Sequence, residues 1–124
     1  MKNKSGYPSV MPYLIVKHAQ KFLDFTEMVF GATLQHKEMR DEKYIKHAEV
    51  KIDDCVIMFA DSIDQYPPQP GSLFIYVNDA DEIFQKALDH GATIIMDLAN
   101  QSYGRSGGIK DPVGNTWWIT AEII

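Results

Sequence analysis

GGIKDPVGNTWWIT, residues Gly107–Thr120, carries the clearest local signal of architecture in the chain. A strand ends at Lys110, the cluster Asp111, Pro112, Val113, Gly114 and Asn115 carries turn chemistry, and from Thr116 the chain alternates as a strand does. The stretch therefore reads as a hairpin. Side chains of a strand alternate with period two, so Thr116, Trp118, Thr120 and Glu122 share one face while Trp117, Ile119, Ala121 and Ile123 share the other. The second face suits a core. The first mixes hydroxyls, a carboxylate and an indole, which suits the wall of a small-molecule pocket.

The segment before this hairpin repeats the order of the segment at the front. Val10 to Lys17 reads as a strand with Pro12 near its start, followed by a helix over Ala19 to Phe30 that Gly31 ends with a left-handed cap. Thr33 to Met39, Tyr44 to Ile52 and Cys55 to Ala60 read as three further strands, the last two joined by a turn at Asp53 and Asp54. The prolines Pro67, Pro68 and Pro70 make Asp61 to Gly71 a connector. Then the order begins again: a strand over Ser72 to Val77, a helix capped by Asp79 with Glu82 three residues on, a stop at Gly91, and a strand over Thr93 to Met96. Asp97 to Ser106 reads as a polar loop leading into the hairpin. FGAT at Phe30–Thr33 answers HGAT at His90–Thr93, and VKHA at Val16–Ala19 answers VNDA at Val77–Ala80, with a spacing of 60 to 61 residues.

Composition narrows the class. At 124 residues, 45% hydrophobic and 23% charged, the chain reads as one domain over 1–124 that can bury a core without staples. No apolar run approaches the roughly 20 residues that span a bilayer, and MKNKSGYPS lacks the apolar centre of a signal peptide, so no membrane partner and a cytoplasmic address are expected. Cys55, the single cysteine, excludes an intramolecular disulfide, and within CVIMF it reads as a small core residue. A net charge of -5 without a basic patch argues against a nucleic-acid partner.

Four stretches, PYLIVKHAQKFLDFTEMVFGA, HAEVKIDDCVIMFAD, YVNDADEIFQKALDHGAT and GGIKDPVGNTWWIT, cover nearly the whole chain. Together they resemble the vicinal oxygen chelate superfamily of glyoxalases, extradiol dioxygenases and bleomycin-resistance proteins, closest to its PhnB-like or glyoxalase-like bacterial branch. The resemblance implies an α+β fold of two βαβββ modules, about residues 10–60 and 72–123, forming a curved, incomplete barrel. It also implies a homodimer whose second subunit completes two pockets. Enzymes of the superfamily hold a divalent metal through His or Glu at positions that fall here on Met11, Met58, Ser72 and Trp118. None is a competent donor for such a metal, so no metal and no cofactor are expected.

If Trp118 faces a cavity, alternation gives it the companions Met11, Tyr13, Ile15, Val56, Met58, Ala60, Ser72, Phe74, Tyr76, Thr116 and Thr120. Tyr13, Phe74, Tyr76 and Trp118 then form an aromatic cup for a planar or cationic ligand; the plain alternative is a collapsed core or a dimer seam. His47 and Glu49 share the polar face of the third strand, where a His and a carboxylate two residues apart make an acid–base pair, two metal donors or merely a solvated face. His36 and Glu38 repeat that spacing on a strand expected at a sheet edge, and His90 suits a helix C-terminus. Tyr103 and Arg105, in the loop LANQSYGRSGG, are placed to act as a lid. The function expected is metal-independent binding of a small amphipathic or planar molecule by Tyr13, His47, Glu49, Met58, Phe74, Tyr76, Tyr103 and Trp118. The alternative is a metal-dependent lyase, isomerase or oxidoreductase of glyoxalase or dioxygenase type using an unconventional set such as His47 and Glu49.

Overall fold

A computed structural model describes residues 6–123. The chain divides into two compact units, residues 1–69 and 70–124, each built from four strands and one helix.

The first unit runs β1 (Tyr13–Val16), α1 (Ala19–Phe30), β2 (Thr33–Met39), β3 (Ile45–Ile52) and β4 (Cys55–Asp61). Its sheet has the order β1-β4-β3-β2, with β1 parallel to β4 and the other pairs antiparallel. Apolar residues at helical spacing put Phe22, Leu23, Phe25 and Val29 of α1 in the core against Leu14, Val16, Ala48, Val50, Ile57 and Phe59, with the Phe22 and Phe59 rings 4.8 Å apart. Each such large side chain contributes about 1.5–3 kcal/mol by leaving water. The helix stops at Gly31, whose φ of 69° allows the left-handed cap that the sequence requires. At its other end His18 also takes a left-handed conformation and its side chain makes no cap; Asp61, from β4, accepts from the Ala19 N–H (2.8 Å) and from the Ile45 N–H (2.7 Å). One buried carboxylate thus fastens the helix start to β3.

The second unit repeats the plan: β5 (Ser72–Tyr76), α2 (Ala80–Asp89), β6 (Thr93–Gln101), β7 (Gly104–Lys110) and β8 (Thr116–Ala121), in the sheet order β5-β8-β7-β6. Asp79 caps α2 by accepting from the Glu82 N–H at 3.1 Å, as the spacing requires. The turn before β8 is a knot around the buried Asp111. Its Oδ1 accepts from the backbone N–H groups of Val113 and Asn115, and its Oδ2 accepts from Asn115 Nδ2 and Trp117 Nε1. Asn115 Oδ1 in turn accepts from the Gly71 N–H at 2.8 Å, tying the hairpin to the start of β5. This hairpin is therefore held by hydrogen bonds that use both carboxylate oxygens of Asp111.

The strands depart from expectation in three places. β1 begins at Tyr13 rather than Val10, and the carbonyl of Pro12 already accepts from the Met58 N–H at 3.0 Å. The loop expected over Asp97 to Ser106 is absent: β6 continues to Gln101 and turns straight into β7, with two register shifts absorbing the irregular sequence. Cys55 is exposed, because the tight Asp53–Asp54 turn places it at the open start of β4 rather than in the core. His36 and Glu38 lie on β2, an edge strand exposed along its whole length.

Candidate functional site

In the first unit, register brings four of the expected residues to one face. Tyr13 on β1 lies opposite Met58 on β4, Met58 lies opposite Glu49 on β3, and His47 stands two residues before Glu49. Their side chains form a chain of hydrogen bonds: Tyr13 Oη is 2.9 Å from His47 Nδ1, and His47 Nε2 is 2.7 Å from Glu49 Oε2. Tyr7 closes the chain, donating its hydroxyl to Glu49 Oε1 at 2.6 Å. A carboxylate only accepts, so His47 Nε2 carries a proton toward Glu49, and whenever the imidazole is neutral its Nδ1 accepts from the Tyr13 hydroxyl. Burial works against the charge of Glu49, but hydrogen bonds from Tyr7 and His47 and the charges of His47 and His36 outweigh it, and its carboxyl titrates below the ordinary value. Burial, and then the charge of Glu49, raise the Tyr13 phenol above its ordinary value.

Of the alternatives that the sequence left open for His47 and Glu49, a merely solvated face does not describe this pair, since Glu49 is 5% exposed. Period two shows that His47 and Glu49 share a face, but it carries no information about Tyr7, which lies 42 residues from Glu49 in the chain. Beside this relay lies a cavity of about 480 Å³ lined by Tyr13 and Ile15 of β1, Ala60 of β4, Arg40, Lys46 and Tyr66, among others. Arg40 donates from Nη2 to the Asp61 carbonyl at 3.2 Å, and Lys46 lies 3.8 Å from Glu38. Nothing in a charged turn marks Arg40 as a side chain that folds back over the sheet, and strand alternation alone does not mark Lys46, on β3, as lining a cavity.

In the second unit the expected aromatics also share a face. Phe74 pairs with Trp118 and Tyr76 with Thr120 across β5 and β8. Phe74 and Tyr76 meet edge to face with centroids 5.0 Å apart, and the Tyr103 ring lies 6.4 Å from Phe74. The Trp118 indole lies on Gly108, its register partner on β7, and donates from Nε1 to Ser72 Oγ at 3.0 Å. Phe74, Tyr76 and Tyr103 are 51%, 62% and 51% exposed, so this face is not a collapsed core within its own unit. Thr120 is buried and hydrogen-bonds to Ser106 at 2.8 Å. The lid expected of Arg105 is corrected: its guanidinium is held by Asp81 of α2 and by Asn100 of the neighbouring strand β6. Tyr103 sits on the short hairpin turn, not on a long loop.

The superfamily's metal positions do not fit a metal here. Met58 offers a thioether, the Ser72 hydroxyl accepts from the Trp118 indole, and Trp118 has no lone pair to give. Among the described residues no group of three His, Cys, Asp or Glu side chains is placed to hold an ion.

The two repeated α+β units are those of a protein of the vicinal oxygen chelate fold. The model of the Glyoxalase/Bleomycin resistance protein/Dioxygenase superfamily matches residues 7–119, and the chain belongs to that superfamily. An uncharacterised protein of Mycobacterium bovis is 30% identical over 122 residues, covering 89% of this chain and 80% of that protein. Among solved structures, TioX from Micromonospora sp. ML1 superposes with a TM-score of 0.73 at 21% identity, covering 94% of this chain and 98% of TioX. TnmS3, an antibiotic-binding protein from Streptomyces sp. CB03234, superposes with a TM-score of 0.69 at 17% identity, over 94% and 98% of the two chains. At these identities the two structures show the fold alone. Among the described residues no helix is long and apolar enough to cross a membrane.

Proposed function

We propose that this protein binds a small amphipathic, planar molecule without a metal ion, acting as a cytoplasmic homodimer. The observation that carries the reading is the exposed aromatic face of β5 and β8, where Phe74, Tyr76, Tyr103 and Trp118 come together. Rings left open to water on one sheet face gain from covering by another flat apolar surface, and stacking adds about 0.5–1.5 kcal/mol per ring beyond burial. The antibiotic-binding activity in TnmS3's description is of the same kind, on the same fold.

A chemically broad library of planar compounds should contain ligands that raise the melting temperature, and Trp118→Ala should weaken that rise by at least half. Binding that survives Trp118→Ala undiminished overturns the aromatic face as the site. Elemental analysis of protein purified without an affinity tag tests the metal-free part. About one tightly held transition-metal ion per chain would replace it with the metal-dependent reading.

A further inference from the structure

The relay in the first unit is more than binding requires. A planar ligand gripped by rings needs no buried carboxylate, yet Glu49 is held with both oxygens occupied, by Tyr7 and by His47, and the chain of contacts ends on Tyr13, which lines a cavity. This is the arrangement of a general base: the carboxylate fixes the imidazole with its proton on Nε2, leaving Nδ1 free to take a proton from Tyr13. Because the Tyr13 phenol is raised rather than lowered, its reactivity must come from transfer to His47 and not from a standing phenolate.

The same cavity carries the means to hold an anion. Arg40 gives Nη2 to the Asp61 carbonyl and has further guanidinium N–H groups to offer, and Lys46 is only loosely paired, at 3.8 Å, with Glu38, which also lines the cavity, so an anion here would bind by displacing the exposed Glu38 from Lys46. The two oxygens of Asp61 are taken by the backbone N–H groups of Ala19 and Ile45, so its charge is directed at the helix start and away from the guanidinium's free donors.

We propose that the cavity beside Tyr13 is a metal-free acid–base site for a small planar carboxylate, with Tyr13 as the catalytic residue and His47 and Glu49 as the groups that position and accept its proton. In the step, an acidic hydrogen of the bound molecule passes to the Tyr13 oxygen as the Tyr13 proton passes to His47 Nδ1. The bonding pair stays on the ligand as an anion that faces Arg40 and Lys46, the imidazolium is balanced by Glu49, and the proton returns by the same path. No oxidant, metal or second substrate enters. The proposal rests on the reading that the protein takes a small planar molecule, and names the chemistry of one such molecule.

The test uses 4-(fluorosulfonyl)benzoate, a planar carboxylate that labels tyrosines whose proton has an acceptor at hand. The O–S bond forms, the S–F bond breaks, fluoride leaves, and the phenolic proton goes to His47. Peptide mass spectrometry of the intact protein, labelled briefly, compares Tyr13 with Tyr66, Tyr76 and Tyr103, which are at least as exposed as Tyr13. Tyr13 should label at least 10-fold faster than these three, His47→Gln and Glu49→Gln should each remove the advantage, and benzoate should protect. A variant that merely loosens the fold speeds all four tyrosines together, so the ratio reports the relay and not stability. Equal labelling of Tyr13 and Tyr66 overturns the proposal, as does an advantage that survives His47→Gln; labelling unaffected by benzoate overturns the carboxylate assignment. Fast, benzoate-protected labelling of Tyr13 in a protein whose ligand-induced rise in melting temperature is undiminished by Trp118→Ala would keep this cavity as the site and remove the aromatic face, whereas a melting temperature that no planar ligand raises overturns both.

Discussion

At the scale of single residues, Glu49 is the most consequential side chain in the first unit. Its carboxyl titrates below the ordinary value near 4.5 because Tyr7 and His47 reach it despite burial. A carboxyl whose folded pKa is depressed stabilises the fold fully above the unfolded value, and that contribution disappears as pH falls through the folded value. Glu49→Gln removes the titrating group while keeping the shape. The stability gap between wild type and Glu49→Gln, measured by urea unfolding, should therefore be fully present above the ordinary value of 4.5 and shrink steadily as pH is lowered beneath it. A gap that stays constant over that range would mean the carboxylate is not favoured by its contacts. The sequence reveals that His47 and Glu49 share a face, since alternation alone says so. It does not reveal burial, because Tyr7 and Tyr13 reach this pair from 42 and 34 residues away, and such distances leave no periodic trace.

At the scale of elements, the paired strands were legible wherever turn chemistry bounded them. The α1 limits, the Gly31 cap and the DPVGN hairpin follow from local rules with short range. The β6–β7 hairpin did not, because LANQSYGRSGG has the small polar composition of a loop, and only the neighbouring strands convert it into a ladder with two register shifts. Those glycines have a use that composition hides. Gly108 stands opposite Trp118, and a Cβ built on it would lie 2.5 Å from the indole Cζ3 and 2.7 Å from Cε3. An indole is rigid, so Gly108→Ala must push the whole ring off the sheet and break its bond to Ser72. We expect a loss of about 1–3 kcal/mol in stability, a shifted tryptophan emission and a weakened ligand-induced rise in melting temperature. Unchanged emission and unchanged ligand stabilisation in Gly108→Ala would show that the ring's seat on Gly108 does not shape the aromatic face.

At the scale of the whole molecule, duplication was the feature the sequence carried most plainly. FGAT against HGAT and VKHA against VNDA mark equivalent points, and the two sheets have the same strand order about the same parallel pair. The apolar surface left open was less legible, since alternation separates two faces without saying which one another layer covers. Leu34 on β2 and Ile94 and Ile95 on β6 are exposed, and strands β2 and β6 are edges of their sheets. Edge strands with exposed large apolar residues are a hazard for a free monomer, and a second copy of the chain is the economical cover. If the protein is a homodimer that unfolds to separate chains, its melting temperature depends on concentration. A hundredfold dilution shifts the balance by about 2.7 kcal/mol per dimer, which corresponds to a fall of about 5–10 °C for an assembly of this size. A saturating planar ligand should raise the melting temperature at both concentrations while leaving that fall in place, because binding and association enter the balance as separate mass-action terms. A melting temperature independent of concentration, together with a sedimentation mass of 14.1 kDa, would leave each chain to cover its own apolar edges.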